Sequence, residues 1–225
     1  MSINILDFLL SNEAFLKDFI TRSTYHSNAI EGNTLSYAET YALIYNDNSF
    51  KIEGKEPREI YEAINHKKAL TILFEALKAN DNLNDRLIKK LNETINQDIK
   101  NTEGYRKIQV FVNGSSHIPP APEKIPNLMN YFVYNYNNST EEIFEKIAKY
   151  HIEFEKIHPF EDGNGRTGRL LINYELIKNN ISPIVIPKED RTKYFDFLQN
   201  QDIIGLANWF KELSLNENER IHIFM

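Results

Sequence analysis

The sequence contains no cysteine, which excludes disulfide bonds, thiolate metal sites and cysteine nucleophiles. It also lacks a surplus of basic residues, because 26 Lys and Arg stand against 32 Asp and Glu and the net charge is −6. We therefore expect no general binding to nucleic acid or to an anionic membrane, although a local basic pocket is compatible with this charge.

The N-terminus lacks the pattern of a targeting or membrane segment. The stretch MSINILDFLLSNEAF combines a short apolar run with acidic residues and has no basic leader, so it predicts neither a secretory signal nor a membrane span. A cytoplasmic location is the expectation. With 225 residues, 41% hydrophobic residues, 12% aromatic residues and no internal repeat, the composition predicts one compact unit with a well-packed core.

The segment HPFEDGNGRTGR, residues 158–169, concentrates the residues that can do chemistry. Apolar residues at three- and four-residue spacing precede and follow it, which predicts a loop between two buried helices. Gly163, Asn164 and Gly165 allow a tight turn at the start of the second helix. Free N–H groups gathered in such a turn form an anion site.

Four charged or titratable side chains surround this turn. Arg166 and Arg169 are three residues apart, so they share one helix face and could bind phosphate oxygens. Asp162 is an oxygen ligand suited to a magnesium ion shared with phosphates. His158 can accept a proton near neutral pH. Together these residues predict a site for a nucleotide polyphosphate.

The same segment resembles the signature of the Fic family, HPFxDGNGRxxR, with every fixed letter present. The resemblance implies a helical enzyme that transfers AMP from ATP to a Ser, Thr or Tyr hydroxyl of a protein. It implies that His158 deprotonates the acceptor and that Asp162 holds Mg²⁺ on the phosphates. The turn at 163–165 and Arg166 would then bind the phosphates, with Arg169 on the terminal one.

A second motif lies near the N-terminus. Residues 22–32 predict a short polar helix that ends at Gly32 in a left-handed cap, with Ser27 and Glu31 on one face. SNAIEG is similar to the inhibitory motif of the Fic family, in the class that has its inhibitory helix at the N-terminus. The resemblance implies that the Glu31 carboxylate pairs with Arg169 and misplaces the ATP phosphates. An ordinary surface helix with a capping glycine is the alternative.

Residues 105–118 show the one β pattern of the chain. Ile108, Val110 and Val112 alternate with other side chains, and Asn113-Gly114 is a strong hairpin turn. In the Fic family the matching element is the flap, and the resemblance implies that it pairs with the acceptor segment of the target as an added strand. A connecting hairpin without a target role is the alternative. The residues assigned to this docking role are Gly114, Ser115, Ser116, His117 and Ile118.

The chain as a whole predicts an all-α fold, a Fic-type helical bundle with one β-hairpin flap. We expect N-terminal helices in residues 1–50, including the inhibitory helix, and a Fic catalytic core in residues 51–225. Tyr194 and Asn200 lie at positions similar to adenosine contacts of the family, although Tyr194 could equally be a core aromatic. Helices are expected at about residues 3–20, 36–46 with Ser36 as N-cap, 57–78, 84–99, 122–136, 139–157 with Ser139 as N-cap, 166–179, 188–198 and 203–213.

Three other functions fit parts of the pattern. Members of the family that bind the nucleotide reversed transfer phosphate, but they usually depart from the glycine-and-arginine pattern found here. Removal of AMP, with Glu31 positioning a water, is another enzyme function, and a nucleotide-sensing module without turnover is a binding function. The sequence names neither the target nor the oligomeric state, and it leaves open whether one of the 12 tyrosines of the chain is itself an acceptor.

Overall fold

The computed structural model describes residues 4–47, 52–100, 103–112 and 117–225. These ranges contain ten α-helices and no β-strand, so the all-α prediction is confirmed. The helices are α1 (Ile5–Ser11), α2 (Glu13–Ile30), α3 (Tyr37–Tyr45), α4 (Pro57–Lys78), α5 (Asp85–Ile95), α6 (Ile125–Asn138), α7 (Ile143–Ile157), α8 (Asn164–Lys178), α9 (Arg191–Asn200) and α10 (Ile203–Ile223). None of the helices in the described ranges is both long and apolar enough to cross a membrane.

The N-terminal helices are divided differently from the prediction. The break falls at Asn12, whose side chain accepts a hydrogen bond from the Phe15 N–H and caps the start of α2. From there α2 continues without interruption through residues 20–22, so the predicted separate helix at 22–32 is the last part of a longer one. No Gly or Pro lies between Glu13 and Ile30 to end it earlier. The predicted end is correct, since Gly32 has a φ of +104°.

Several other helix ends also test the sequence patterns. Ser36 and Glu39 form the expected capping box at the start of α3. The start of α7 differs, because the Glu142 carboxylate accepts from the Phe144 and Glu145 N–H groups where Ser139 was expected to cap. A carboxylate is favoured there by the helix dipole. Helix α5 stops at Ile95, earlier than expected, and α10 continues well past residue 213.

The predicted β-hairpin is wrong in the described part of residues 105–118. Its two arms are irregular, and side chains provide the hydrogen bonds that a strand ladder would supply. The Arg106 guanidinium donates to the Ile108 and Pro120 carbonyl groups, and the Gln109 amide donates to the Pro119 carbonyl. A proline has no N–H to return a ladder bond. The turn residues Gly114, Ser115 and Ser116 lie outside the described ranges.

Helix α8 forms the centre of the molecule. Every residue from Arg166 to Ile177 is buried, with α7 packed on one side and α4 and α5 on others. A helix that is buried on all sides is held rigidly in direction and register. Its N-terminus, where the glycine-rich turn ends, is therefore fixed at the mouth of a cleft between α2, α4 and the 158–166 loop.

Candidate active site

The loop between α7 and α8 is held by side-chain amides. Asn164 bonds both backbone groups of Phe160, its Nδ2 donating to the carbonyl at 2.9 Å and its Oδ1 accepting from the N–H at 3.0 Å. The Asn92 and Asn96 amides donate to the Asp162 carbonyl at 2.9 and 3.1 Å. Gly163 has a φ of +77°, and a Cβ there would lie 3.0 Å from both of those amide nitrogens. Glycine is therefore required for both conformation and space.

His158 ends α7 in the left-handed region, with φ +49° and ψ +59°. Its Nδ1 faces the Glu155 carbonyl at 3.3 Å. A carbonyl oxygen can only accept, so Nδ1 carries the proton and Nε2 has a free lone pair. Burial lowers the pKa of His158, which keeps the imidazole neutral at pH 7. His158 is among the residues that line the cleft, where a neutral imidazole can serve as a base.

The sequence analysis did not find Arg106, which fixes the backbone of His158. The Arg106 Nε donates to the His158 carbonyl at 2.8 Å, and the Arg106 N–H donates to the Pro159 carbonyl at 2.9 Å. Only 3% of Arg106 is exposed. In the sequence, Arg106 lies in a segment with a β pattern, and no motif around it indicates that its side chain binds the His158 carbonyl.

A network of four charges lies at the N-terminus of α8. The Arg166 guanidinium is buried between the Glu62 Oε1 at 3.2 Å and the Asp162 Oδ1 at 3.0 Å. Arg58 approaches the same carboxylates from the rim, 2.6 Å from Asp162 Oδ2 and 3.0 Å from Glu62 Oε1. Burial raises the pKa of Asp162, but the two arginines outweigh it and hold that pKa below its usual value. Glu62 and Arg58 were not identified from the sequence, because a charged pair on α4 resembles an exposed helix face.

Arg169 lies deeper and is joined to the end of α2. Its Nη2 donates to Glu31 Oε1 at 2.7 Å and to the Ser27 carbonyl at 2.9 Å, and its Nε donates to Ser27 Oγ at 3.0 Å. The buried Nη1 has no hydrogen-bond partner among the described residues. Burial raises the pKa of Glu31, but the Arg169 charge and hydrogen bond outweigh burial and hold that pKa below its usual value. Glu31 is therefore an anion. The structure thus brings Ser27 and Glu31 to Arg169.

The Glu31 carboxylate also covers the glycine turn. A methyl group built at Gly165 would overlap the Glu31 carboxylate and approach the Arg169 guanidinium. The cleft next to it has a volume of about 540 Å³ and is open to solvent. Its lining includes Glu31, Arg58, His158 and residues 161–166. A cavity of this size is within the range of small-molecule sites.

The remaining predicted residues lie elsewhere. Tyr194 is fully buried, and its hydroxyl lies 2.6 Å from His151 Nε2, behind Arg169. Asn200 is exposed at the end of α9, and neither residue is among those that line the cleft. His117 Nε2 is bonded to the Lys156 carbonyl at 2.8 Å, which ties the 117–121 segment to α7. The side chain of Ile118 is 66% exposed.

Asp162 fits the part of a magnesium ligand shared with a substrate. The described residues contain no cluster of three or more His, Asp or Glu that would form a metal cage. Mg²⁺ bound with a nucleotide needs only one or two carboxylates, because phosphates and water supply the other ligands. Asp162 is an ionised carboxylate on the wall of the cleft, next to the N-terminus of α8.

Comparison with known proteins shows which family this chain resembles. A family model described as the Fic/DOC family matches residues 82–176, which include the loop and most of α8. The protein adenylyltransferase Fic of Aedes aegypti is 34% identical over 189 residues, and that of Drosophila melanogaster is 33% identical over 188 residues. Each alignment covers 81% of this chain and 37% of the relative, so the chain spans little more than a third of those proteins.

Two solved structures share the fold. A Fic-domain signalling protein from Bacteroides thetaiotaomicron has a TM-score of 0.82 and 26% identity, covering 91% of this chain and 86% of its own. Residues 134–508 of Fic-1 from C. elegans give a TM-score of 0.78 and 27% identity, covering 95% of this chain and 64% of the other. With 91% and 95% of this chain covered, the likeness extends beyond the residues matched by the family model.

Proposed function

The chain belongs to the Fic/DOC family, and from that premise we propose that it transfers AMP from ATP to a hydroxyl group of a protein. The observation that most directly supports this activity is His158. Its imidazole is neutral, its Nδ1 faces a backbone carbonyl, and the residue is among those lining a cleft at the N-terminus of α8. A base and an anion site are therefore adjacent in one cavity.

The proposed reaction needs one base and one leaving group. His158 Nε2 accepts the proton of a Ser, Thr or Tyr hydroxyl while the hydroxyl oxygen attacks the α-phosphorus of ATP. The new O–P bond forms as the bond between the α-phosphorus and the bridging oxygen breaks, and pyrophosphate leaves. Phosphoryl-transfer chemistry depends mainly on positioning and charge stabilisation, so the rigid support of α8 is suited to it.

The phosphates would lie on the glycine turn. The N–H groups at 163–165 and the helix dipole favour negative charge there. Arg166 adds a fixed positive charge, since it is buried between two carboxylates. Arg169 would bind the terminal phosphate through its guanidinium group, whose Nη1 has no hydrogen-bond partner among the described residues.

Asp162 would hold Mg²⁺ together with those phosphates. When bound, the ion would neutralise charge on the phosphates and would favour departure of pyrophosphate. The family resemblance assigns the adenosine end to Tyr194 and Asn200, but neither residue is among those that line the cleft. Because Tyr194 is fully buried, we expect it to support Arg169 from behind, and its ring centre lies 5.8 Å from the Arg169 guanidinium carbon.

We further propose that the resting enzyme is inhibited by Glu31. This carboxylate is bonded to the guanidinium that the terminal phosphate needs, and it lies over Gly165. Ser27 holds the same arginine through Oγ and its carbonyl. In this scheme residues 1–50 supply the restraint, with residues 22–32 as its core, and residues 51–225 supply the catalytic site.

The target protein would dock at the segment of residues 114–118. Within its described part, Ile118 offers an exposed apolar side chain, and His117 is bonded to the Lys156 carbonyl of α7. Whether the acceptor belongs to another protein or to a tyrosine of this chain is decided by mapping the modified residue with mass spectrometry.

Labelled ATP tests the proposal. The wild-type protein and the Glu31→Gly variant are incubated with ATP labelled at either the α- or the γ-phosphate, with His158→Ala as the inactive control. We expect protein labelling from the α-phosphate alone, stronger in Glu31→Gly and lost in His158→Ala. Labelling from the γ-phosphate alone would instead identify a kinase. Tight ATP binding without either label would identify a sensing module.

A further inference from the structure

Arg58 forms an ion pair with Asp162, the carboxylate that the proposed function assigns to the metal ion. Its Nη2 lies 2.6 Å from Asp162 Oδ2, and its Nε lies 3.0 Å from Glu62 Oε1. The other oxygen of Asp162 is already engaged, because Oδ1 accepts from Arg166 at 3.0 Å and from the Gly163 N–H at 2.6 Å. Oδ2 is therefore the oxygen through which Asp162 would meet a cation from the cleft.

Arg58 and Arg166 both pair with Asp162, but Arg58 can move away from this carboxylate more easily than Arg166. The Arg166 side chain is 1% exposed and is fixed in the core, whereas the Arg58 side chain is 53% exposed at the rim. A half-exposed ion pair contributes little to stability, since water replaces much of what is lost. Arg58 would also keep its bond to the buried Glu62 as it turns away, so its release needs no rearrangement of α4.

We propose that Arg58 is a built-in counter-ion that competes with the divalent cation for Asp162 and so sets how strongly nucleotide binding depends on that cation. This inference rests on the proposed function. In the resting cleft, Arg58 neutralises a carboxylate that would otherwise repel phosphates. When the nucleotide arrives with its cation, the cation takes Oδ2 and Arg58 turns toward Glu62 and solvent.

The chain offers a matched control for charge. Lys100 is an exposed cation that pairs with Glu161 at 2.9 Å, and Glu161 is the neighbour of Asp162 on the lining of the same cleft. Lys100→Ala therefore removes one positive charge near the site without touching Asp162. Arg58→Lys keeps the charge of Arg58 but loses the planar fork that joins Asp162 to Glu62.

The test measures ATP affinity by calorimetry in EDTA and in saturating Mg²⁺, with every variant made in a His158→Ala background so that ATP is not consumed. The ratio of the two Kd values reports the coupling between cation and nucleotide. For Arg58→Ala we expect the ratio of Kd in EDTA to Kd in Mg²⁺ to rise about fivefold, the size expected for one partly exposed ion pair. The same ratio should rise less for Arg58→Lys. For Lys100→Ala it should stay within about twofold of the ratio of the parent.

The outcomes separate this inference from the function on which it rests. If the parent binds MgATP but Arg58→Ala leaves the ratio unchanged, the inference fails and the proposed function stands. A weaker MgATP affinity in Arg58→Ala, with a lower ratio, would make Arg58 a phosphate ligand and also overturn the inference. An equal rise in Lys100→Ala would mean that general charge, not contact with Asp162, is responsible. Failure of the parent to bind ATP in either solution would overturn both.

Discussion

Replacing Glu31 with glycine should raise AMP transfer, because it frees the Arg169 guanidinium that we propose binds the terminal phosphate. In the resting structure Arg169 gives one hydrogen bond of 2.7 Å to the Glu31 carboxylate and two to Ser27. Only the Glu31 bond is lost in the variant. Arg169 would stay in place through Ser27, so the change should act on occupancy of the phosphate position rather than on the position of the arginine.

The size of the effect follows from that single bond. A hydrogen bond between charged groups contributes about 1.5–3 kcal/mol, and exposure reduces its value. The Arg169 side chain is 7% exposed but that of Glu31 is 35% exposed, which places the bond toward the lower end of that range. About 1.5–2 kcal/mol corresponds to a rise of about 10- to 30-fold in the population with Arg169 free. We expect the initial rate of AMP transfer to rise by the same factor.

The assay is the initial rate of α-phosphate label transfer at equal protein and saturating MgATP. Glu31→Gln keeps the size of the side chain and should give a smaller rise. Glu161→Gln is the charge control, since Glu161 lines the same cleft but pairs with Lys100 and not with Arg169. A rate for Glu31→Gly within twofold of wild type, with ATP binding intact, would refute the reasoning. So would an equal rise in Glu161→Gln.

Three further predictions follow from the site. Loss of the base in His158→Ala should lower AMP transfer by about 10²–10⁴-fold while the ATP Kd changes by less than about twofold; a similar loss of binding would contradict a purely catalytic role. Arg106→Ala should lower the rate by about 10- to 100-fold by displacing the His158 backbone, with ATP affinity measured alongside, and an unchanged rate in folded protein would show that the bond to the His158 carbonyl is not needed. Burial and the nearby Glu31 raise the pKa of Glu155 to about 8 from 4.5. The unfolded chain therefore ionises first, so between these pH values the free energy of unfolding should fall with rising pH, by up to about 1.4 kcal/mol per pH unit from this group. Glu155→Gln should flatten that slope in denaturant titrations at pH 5.5 and 7.5, and parallel slopes would contradict the assignment.

The loop of residues 158–169 was predictable because its information is local. Spacing within residues 158–169 identified the turn, and the apolar patterns on both sides identified the two helices. The left-handed end at Gly32 and the capping box of Ser36 were predictable for the same reason. In each case the residues that decide the structure lie within a few positions of one another.

The missed features depend on contacts between distant parts of the chain. Arg58 and Asp162 are separated by 104 positions, and no sequence pattern indicates that an exposed arginine on α4 reaches that carboxylate. The hairpin prediction failed for a related reason. Alternation at 108–112 is a local signal, but the Arg106 guanidinium binds the Pro120 carbonyl across the two arms, where a strand ladder would have formed. The side-chain bonds of Arg106, which the alternation of apolar residues does not reveal, take the place of that ladder.

The resting cleft has a consistent electrostatic plan. Each group proposed to act on a phosphate or on its cation is already paired with a side chain from the end of α2 or from α4: Arg169 with Glu31, Asp162 with Arg58, and Arg166 with Glu62. These three partners precede the region of residues 82–176 that matches the Fic/DOC model. Binding of MgATP would therefore exchange ion pairs rather than bring new charge into an empty cavity. We expect substitutions at these N-terminal positions to change how readily the site is occupied, while the chemistry stays with the loop and α8.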